Sequence, residues 1–125
     1  MENFSLTGTP KTPTVELNAS SGTLLLKGRS IPENSIEFYK PILAWIEQYS
    51  ASAKEETTLQ IQLEYFNTSS SKCLLDVFKR METLQGKVVI EWYYENDDED
   101  MLEAGEDYEA IIHVPFKKIG VDQFS

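Results

Sequence analysis

The residues able to do chemistry in this chain are mostly hydroxyls. Positions 67–71 read Asn-Thr-Ser-Ser-Ser, so four hydroxyl side chains, Thr68, Ser69, Ser70 and Ser71, follow one asparagine. A second polar turn, Pro32-Glu33-Asn34-Ser35, lies upstream. Hydroxyls in such settings do three things. They cap helices, where a side-chain oxygen satisfies backbone N–H groups that have no helical partner. They attack electrophiles when a base stands beside them. They accept phosphate, which adds about −1.5 to −2 charges at neutral pH.

Nucleophilic catalysis finds little support. The only histidine, His113, falls in a stretch that reads as the last strand, Ile111–Phe116, and no G-x-S-x-G elbow is present. The one cysteine, Cys73, permits no internal disulfide. It falls in the first turns of a helix and reads as a small packing residue. Asp97, Asp98, Glu99 and Asp100 are contiguous, and Gly105 does not fall where a calcium loop turns, so these acids read as a solvated face and not a metal site. No cofactor is expected. Trp45 and Trp92 lie on apolar stripes and read as core.

The elements that must position the two polar turns follow from hydrophobic periodicity. Residues 1–12 are polar, carry Gly8 and Pro10, and read as a loose arm. Thr14–Leu17 and Thr23–Lys27, separated by the turn cluster Ala19–Gly22, read as a hairpin. Asn34 followed by Glu37 has capping-box spacing, and Phe38, Ile42, Trp45, Ile46 and Tyr49 then mark one helical face. Pro41 removes a backbone donor there, which predicts a kink or a later start. Leu59, Ile61, Leu63 and Tyr65 alternate with polar residues as a strand with one buried face. Leu74, Val77, Phe78, Met81 and Leu84 form a second helical stripe, ended by Gly86. Val88, Ile90, Trp92 and Tyr94 alternate again, and a short helix over Asp100–Tyr108 is weakened by Gly105.

The resulting β-α-β-α-β order predicts parallel neighbours joined by right-handed crossovers. The fold class is therefore α/β: a single-domain two-layer sandwich over residues 1–125, with a mixed, mostly parallel sheet of about five strands and helices on one face. Both polar turns then fall at carboxyl ends of parallel strands, the edge where such sheets gather function.

Charge narrows the partners. The net charge is −10, with 21 acidic against 11 basic side chains. Binding to nucleic acid or to an anionic membrane depends on Lys and Arg, so neither is expected. The acidity is uneven, because Glu95 through Glu109 contains nine acids and no base. No apolar run is long enough to span a bilayer. The start, MENFSLTGTPKTP, lacks the basic and apolar regions of a secretory signal. A single thiol and no signal predict the cytoplasm.

Any of Asn67, Thr68 or Ser69 would serve as a cap. A phosphate on Thr68 would also be tolerated, since a helix start offers free N–H groups and partial positive charge. The motifs Pro32–Ser35 and Asn67–Ser70, with the strand that ends in YFNTSSSK, resemble the SiaC family of bacterial regulatory phosphoproteins over about Thr9 to Phe116. The resemblance implies a STAS-like fold, similar to anti-sigma-factor antagonists, and places the phosphorylated threonine at Thr68. It implies a switch kinase, a PP2C-type phosphatase, and an unmodified form that binds and activates a diguanylate cyclase, raising cyclic di-GMP and promoting aggregation or biofilm. Pro32, Glu33, Asn34, Ser35, Asn67, Ser69 and Ser70 are then expected to form the partner-binding surface. The alternative is a small acidic enzyme or ligand-binding domain that uses the same edge, and a deep polar pocket there would distinguish it.

Overall fold

A computed structural model describes residues 1–124. Six strands form one sheet in sequence order: β1 (Phe4–Leu6), β2 (Thr14–Asn18), β3 (Thr23–Ser30), β4 (Glu56–Phe66), β5 (Lys87–Glu95) and β6 (Phe116–Val121). Strand β2 pairs antiparallel with both β1 and β3, and β3 through β6 run parallel. Helices α1 (Ser35–Tyr49), α2 (Thr68–Met81) and α3 (Glu99–Ile111) connect the parallel strands. Because these strands are adjacent in order, right-handed connections put all three helices on one face. Burial agrees: Leu24, Leu26, Leu59, Ile61, Leu63, Val88, Ile90 and Trp92 pack beneath the helices, while Gln60, Gln62, Glu91 and Tyr93 alternate on the other side.

Several elements depart from the sequence reading. The segment read as a loose arm contains β1, which pairs with β2. It is tied down further by the Trp45 indole N–H, which donates to the Glu2 carbonyl at 3.0 Å, and by the Ala19 N–H, which donates to Asn3 Oδ1 at 2.8 Å. Helix α1 starts at its capping box: Asn34 Oδ1 accepts from the Glu37 N–H at 3.1 Å. Pro41 sits inside the helix on its exposed side. There the Glu37 carbonyl, deprived of its donor, is open to water. Helix α2 ends at Met81, well before Gly86, which instead turns the chain into β5 with φ +85°.

The largest change lies near the C-terminus. Residues read as the last strand, Ile111–Phe116, are the end of α3 and a loop, and β6 begins only at Phe116. Gly105 does not interrupt α3; it allows the helix to press on the sheet. A Cβ there would lie 2.7 Å from Trp92 Cδ1, closer than side chains can pack. The Trp92 indole N–H donates to the Met101 carbonyl at 2.9 Å, and its ring meets Phe66, Phe78, Tyr108 and Phe116.

The strand that leads to the hydroxyl run carries a bulge. Leu63 pairs with Gly28 and Tyr65 with Arg29, which leaves Glu64 unpaired. Gly28 has φ +119°, a conformation that favours glycine. The extra residue reverses the side-chain alternation. Phe66 therefore turns toward the core against Trp92, and Tyr65, read as continuing the buried face, points outward and is 52% exposed.

A switch edge built on two helix starts

The Asn67–Ser70 turn joins β4 to α2, and the Pro32–Ser35 turn joins β3 to α1. Strands β3 and β4 are parallel neighbours, so the two turns share one edge of the sheet. They also touch. The Asn67 N–H donates to the Ser30 carbonyl at 3.0 Å, and the Ser35 and Ser69 hydroxyls lie 2.7 Å apart.

The hydroxyl run divides its work. Asn67 is the cap: its Oδ1 accepts from the Ser70 N–H at 2.9 Å and from the Ser69 hydroxyl at 3.2 Å. Ser70 is fully buried and donates to the Ser30 carbonyl at 3.0 Å. The Ser30 hydroxyl in turn donates to Ser70 Oγ at 2.9 Å and stands 2.7 Å from the Tyr39 hydroxyl. Each hydroxyl has one proton. Ser30 has given its proton to Ser70, so Tyr39 donates to Ser30. Ser69 has given its own to Asn67, so Ser35 donates to Ser69. Burial pushes the Tyr39 phenol up to about 12, against the opposing pull of the Ser30 hydrogen bond, so it stays protonated and able to donate. Ser71 donates to the Thr68 carbonyl at 2.6 Å. Thr68 remains. It is the first residue of α2, it is exposed, and its hydroxyl makes no hydrogen bond among the described residues.

The expected surface residues therefore separate. Glu33, Asn34, Thr68 and Ser69 are exposed, and Pro32 and Asn67 are half-buried. Ser35 and Ser70 are buried, so they brace the edge from beneath and do not form its outer surface. Two further members of the brace, Ser30 and Tyr39, escaped the sequence reading. Tyr39 had a signal, since it precedes Ile42 by three and Trp45 by six on the buried stripe. Ser30 had none, being one polar residue at a strand end.

No catalytic constellation converges here. His113 lies in the α3–β6 loop, and its backbone N–H donates to Glu82 Oε2 at 2.6 Å. A groove of about 510 Å³ opens at the opposite edge, beside Thr57, Val88, Val114 and Pro115. The Cys73 thiol is pushed up by burial and by Asp76, which disfavours the thiolate. Among the described residues no group of acids, histidines and cysteine is placed to hold a metal ion. Among the described residues no helix is long and apolar enough to cross a membrane.

Fold and site together define a small α/β domain in which one member of the hydroxyl run, Thr68, is left idle at a helix start. Residues 6–121 match the SiaC family of regulatory phosphoproteins, and the chain belongs to that family. It is a regulatory protein and not an enzyme. An uncharacterized protein of Pseudomonas aeruginosa (strain UCBPP-PA14) is 31% identical over 119 residues, which is 93% of this chain and 94% of that protein. SiaC of Pseudomonas aeruginosa is 29% identical, with 97% of this chain and 100% of that one covered and a TM-score of 0.86. The crystal structure of the Pseudomonas aeruginosa diguanylate cyclase SiaD in complex with its activator SiaC also matches. It shows 30% identity, a TM-score of 0.86, and coverage of 94% of this chain and 99% of that one.

Proposed function

We propose that this chain is a phosphorylation-gated activator whose switch is Thr68. A protein kinase transfers phosphate to the Thr68 hydroxyl, a PP2C-type phosphatase removes it, and the unmodified form binds and activates a diguanylate cyclase in the cytoplasm. Cyclic di-GMP then rises and favours aggregation or biofilm. The observation that carries the reading is the idle, exposed Thr68 hydroxyl at the start of α2, beside neighbours whose own hydroxyls are engaged. Support for the cyclase comes from the relative whose SiaC was crystallised as activator of SiaD.

The physical argument separates folding from binding. Phosphate at the first turn of α2 meets free N–H groups and the positive end of the helix, so the fold accommodates it. A partner covering the same spot must bury a dianion without matching charge. A penalty of about 3 kcal/mol weakens binding roughly a hundredfold. The partner surface comprises Thr68 with Glu33, Asn34 and Ser69, flanked by Pro32 and Asn67. The test is activation of the cognate cyclase by unmodified and kinase-treated protein. Half-activation should require roughly a hundredfold more of the phosphorylated form, with an unchanged melting temperature. Equal activation by both forms would remove the switch.

A further inference from the structure

The bulge in β4 has a consequence beside the switch. It turns Tyr65 outward, three residues before Thr68, onto the rim of a cleft of about 250 Å³ between the end of β4 and the start of α3. Tyr65, Phe66 and Met101 line it together with the carboxylates of Glu64, Asp98 and Asp100. The cleft is continuous with the switch edge: β4 runs directly into α2, and the Tyr108 hydroxyl of α3 donates to the Ser71 carbonyl in the first turn of α2 at 2.8 Å. A cleft that combines apolar side chains with carboxylates matches one kind of side chain, a long aliphatic stem carrying a planar cation. An exposed tyrosine ring at the rim suits a guanidinium face in particular.

We propose that this cleft receives an arginine side chain from the partner protein that docks on the switch edge. The stem lies against Tyr65 and Met101, and the guanidinium reaches Asp100 and Glu64. This rests on the reading of the edge as the partner surface, and it names what that partner presents. Bulges commonly re-aim a side chain near a functional site, and here the re-aimed side chain is an aromatic of the kind that anchors interfaces. The arginine does not cancel the gating. A phosphate on Thr68 adds its bulk and charge at the start of α2 and not in the cleft, so it still obstructs the contact.

One rival occupant belongs to the chain itself. Arg29 is the register partner of Tyr65, although it does not line the cleft and makes no ion pair among the described residues. The test is a two-dimensional amide NMR titration of the unphosphorylated protein with N-acetyl-arginine amide, and in parallel with the neutral citrulline analogue. Shifts should concentrate at residues 64–66 and 98–104 and saturate in the millimolar range for arginine. The citrulline analogue should bind at least tenfold more weakly. Glu64→Gln with Asp100→Asn should abolish the response, and Arg29→Gln should leave it unchanged. Both sets of variants leave the Asp98 cap of α3 intact. Shifts spread evenly over the acidic surface, equal binding of citrulline, or tenfold tighter binding in Arg29→Gln would each overturn the proposal. The titration involves neither kinase nor cyclase, so its failure is separate from failure of the Thr68 switch.

Discussion

Replacing Gly105 by alanine sets two effects of known sign against each other. Alanine is the better helix former by about 0.8–1 kcal/mol, and Gly105 sits in the middle of α3. The new methyl, however, would lie 2.7 Å from Trp92 Cδ1 and 2.8 Å from its Nε1. Neither partner yields easily. Trp92 is fully buried, hydrogen-bonded to Met101, and enclosed by four aromatic rings. Relief requires α3 to lift by several tenths of an ångström, which strains the Trp92–Met101 hydrogen bond. Overpacking of this kind costs about 1–3 kcal/mol, and weakening that bond adds up to about 1 kcal/mol. Taken at the middle of these ranges, the net loss is about 1–2 kcal/mol. In a domain of this length that lowers the melting temperature by about 4–8 °C. Urea denaturation followed by tryptophan fluorescence measures it as a lower midpoint with unchanged slope. A midpoint equal to or above that of the parent would show that helix propensity wins, and that α3 does not press on Trp92 as described.

Removing the cap by Asn67→Ala should cost about 1 kcal/mol, read as a midpoint shift in urea, whereas Thr68→Val should cost less than about 0.5 kcal/mol because the Thr68 hydroxyl holds nothing. Alkaline stability should depend on Tyr39. Its phenol is raised by burial to about 12 from the usual 10, so the unfolded chain loses the proton first and stability is complete below pH 10 and declines between pH 10 and 12. Tyr39→Phe should flatten that decline in urea titrations across the window, by an amount on the order of 3 kcal/mol, and an unchanged slope would show that the phenol titrates normally.

The parts of this molecule that could be read from sequence are those where one periodicity dominates. Strands β4 and β5 and the stripes of α1 and α2 each bury a single regular set of side chains. The bulge was hidden because Tyr65 continues the alternation of Leu59, Ile61 and Leu63, and only the pairing with Gly28 and Arg29 breaks it. Helix α3 was underestimated because Gly105 counts against a helix in isolation, and its close approach to Trp92 is a tertiary fact. The following Ile111, Ile112 and Val114 have the composition of a strand but lie at the helix end and in a loop, while the real β6 carries two lysines. At the site, both turns and their shared edge followed from topology. Which hydroxyl does what did not, because it depends on Ser30, Ser35 and Tyr39, which are far from the run in sequence.

Phosphopeptide mapping by mass spectrometry of the folded protein after treatment with its cognate kinase tests the central claim most directly. Asn67, Ser30, Ser35 and the helix backbone hold the hydroxyls of Ser69, Ser70 and Ser71, so a single phosphate is predicted on Thr68 and none on its neighbours. Phosphate on Ser69, Ser70 or Ser71 in protein still folded, or none anywhere in residues 67–71, would contradict the account.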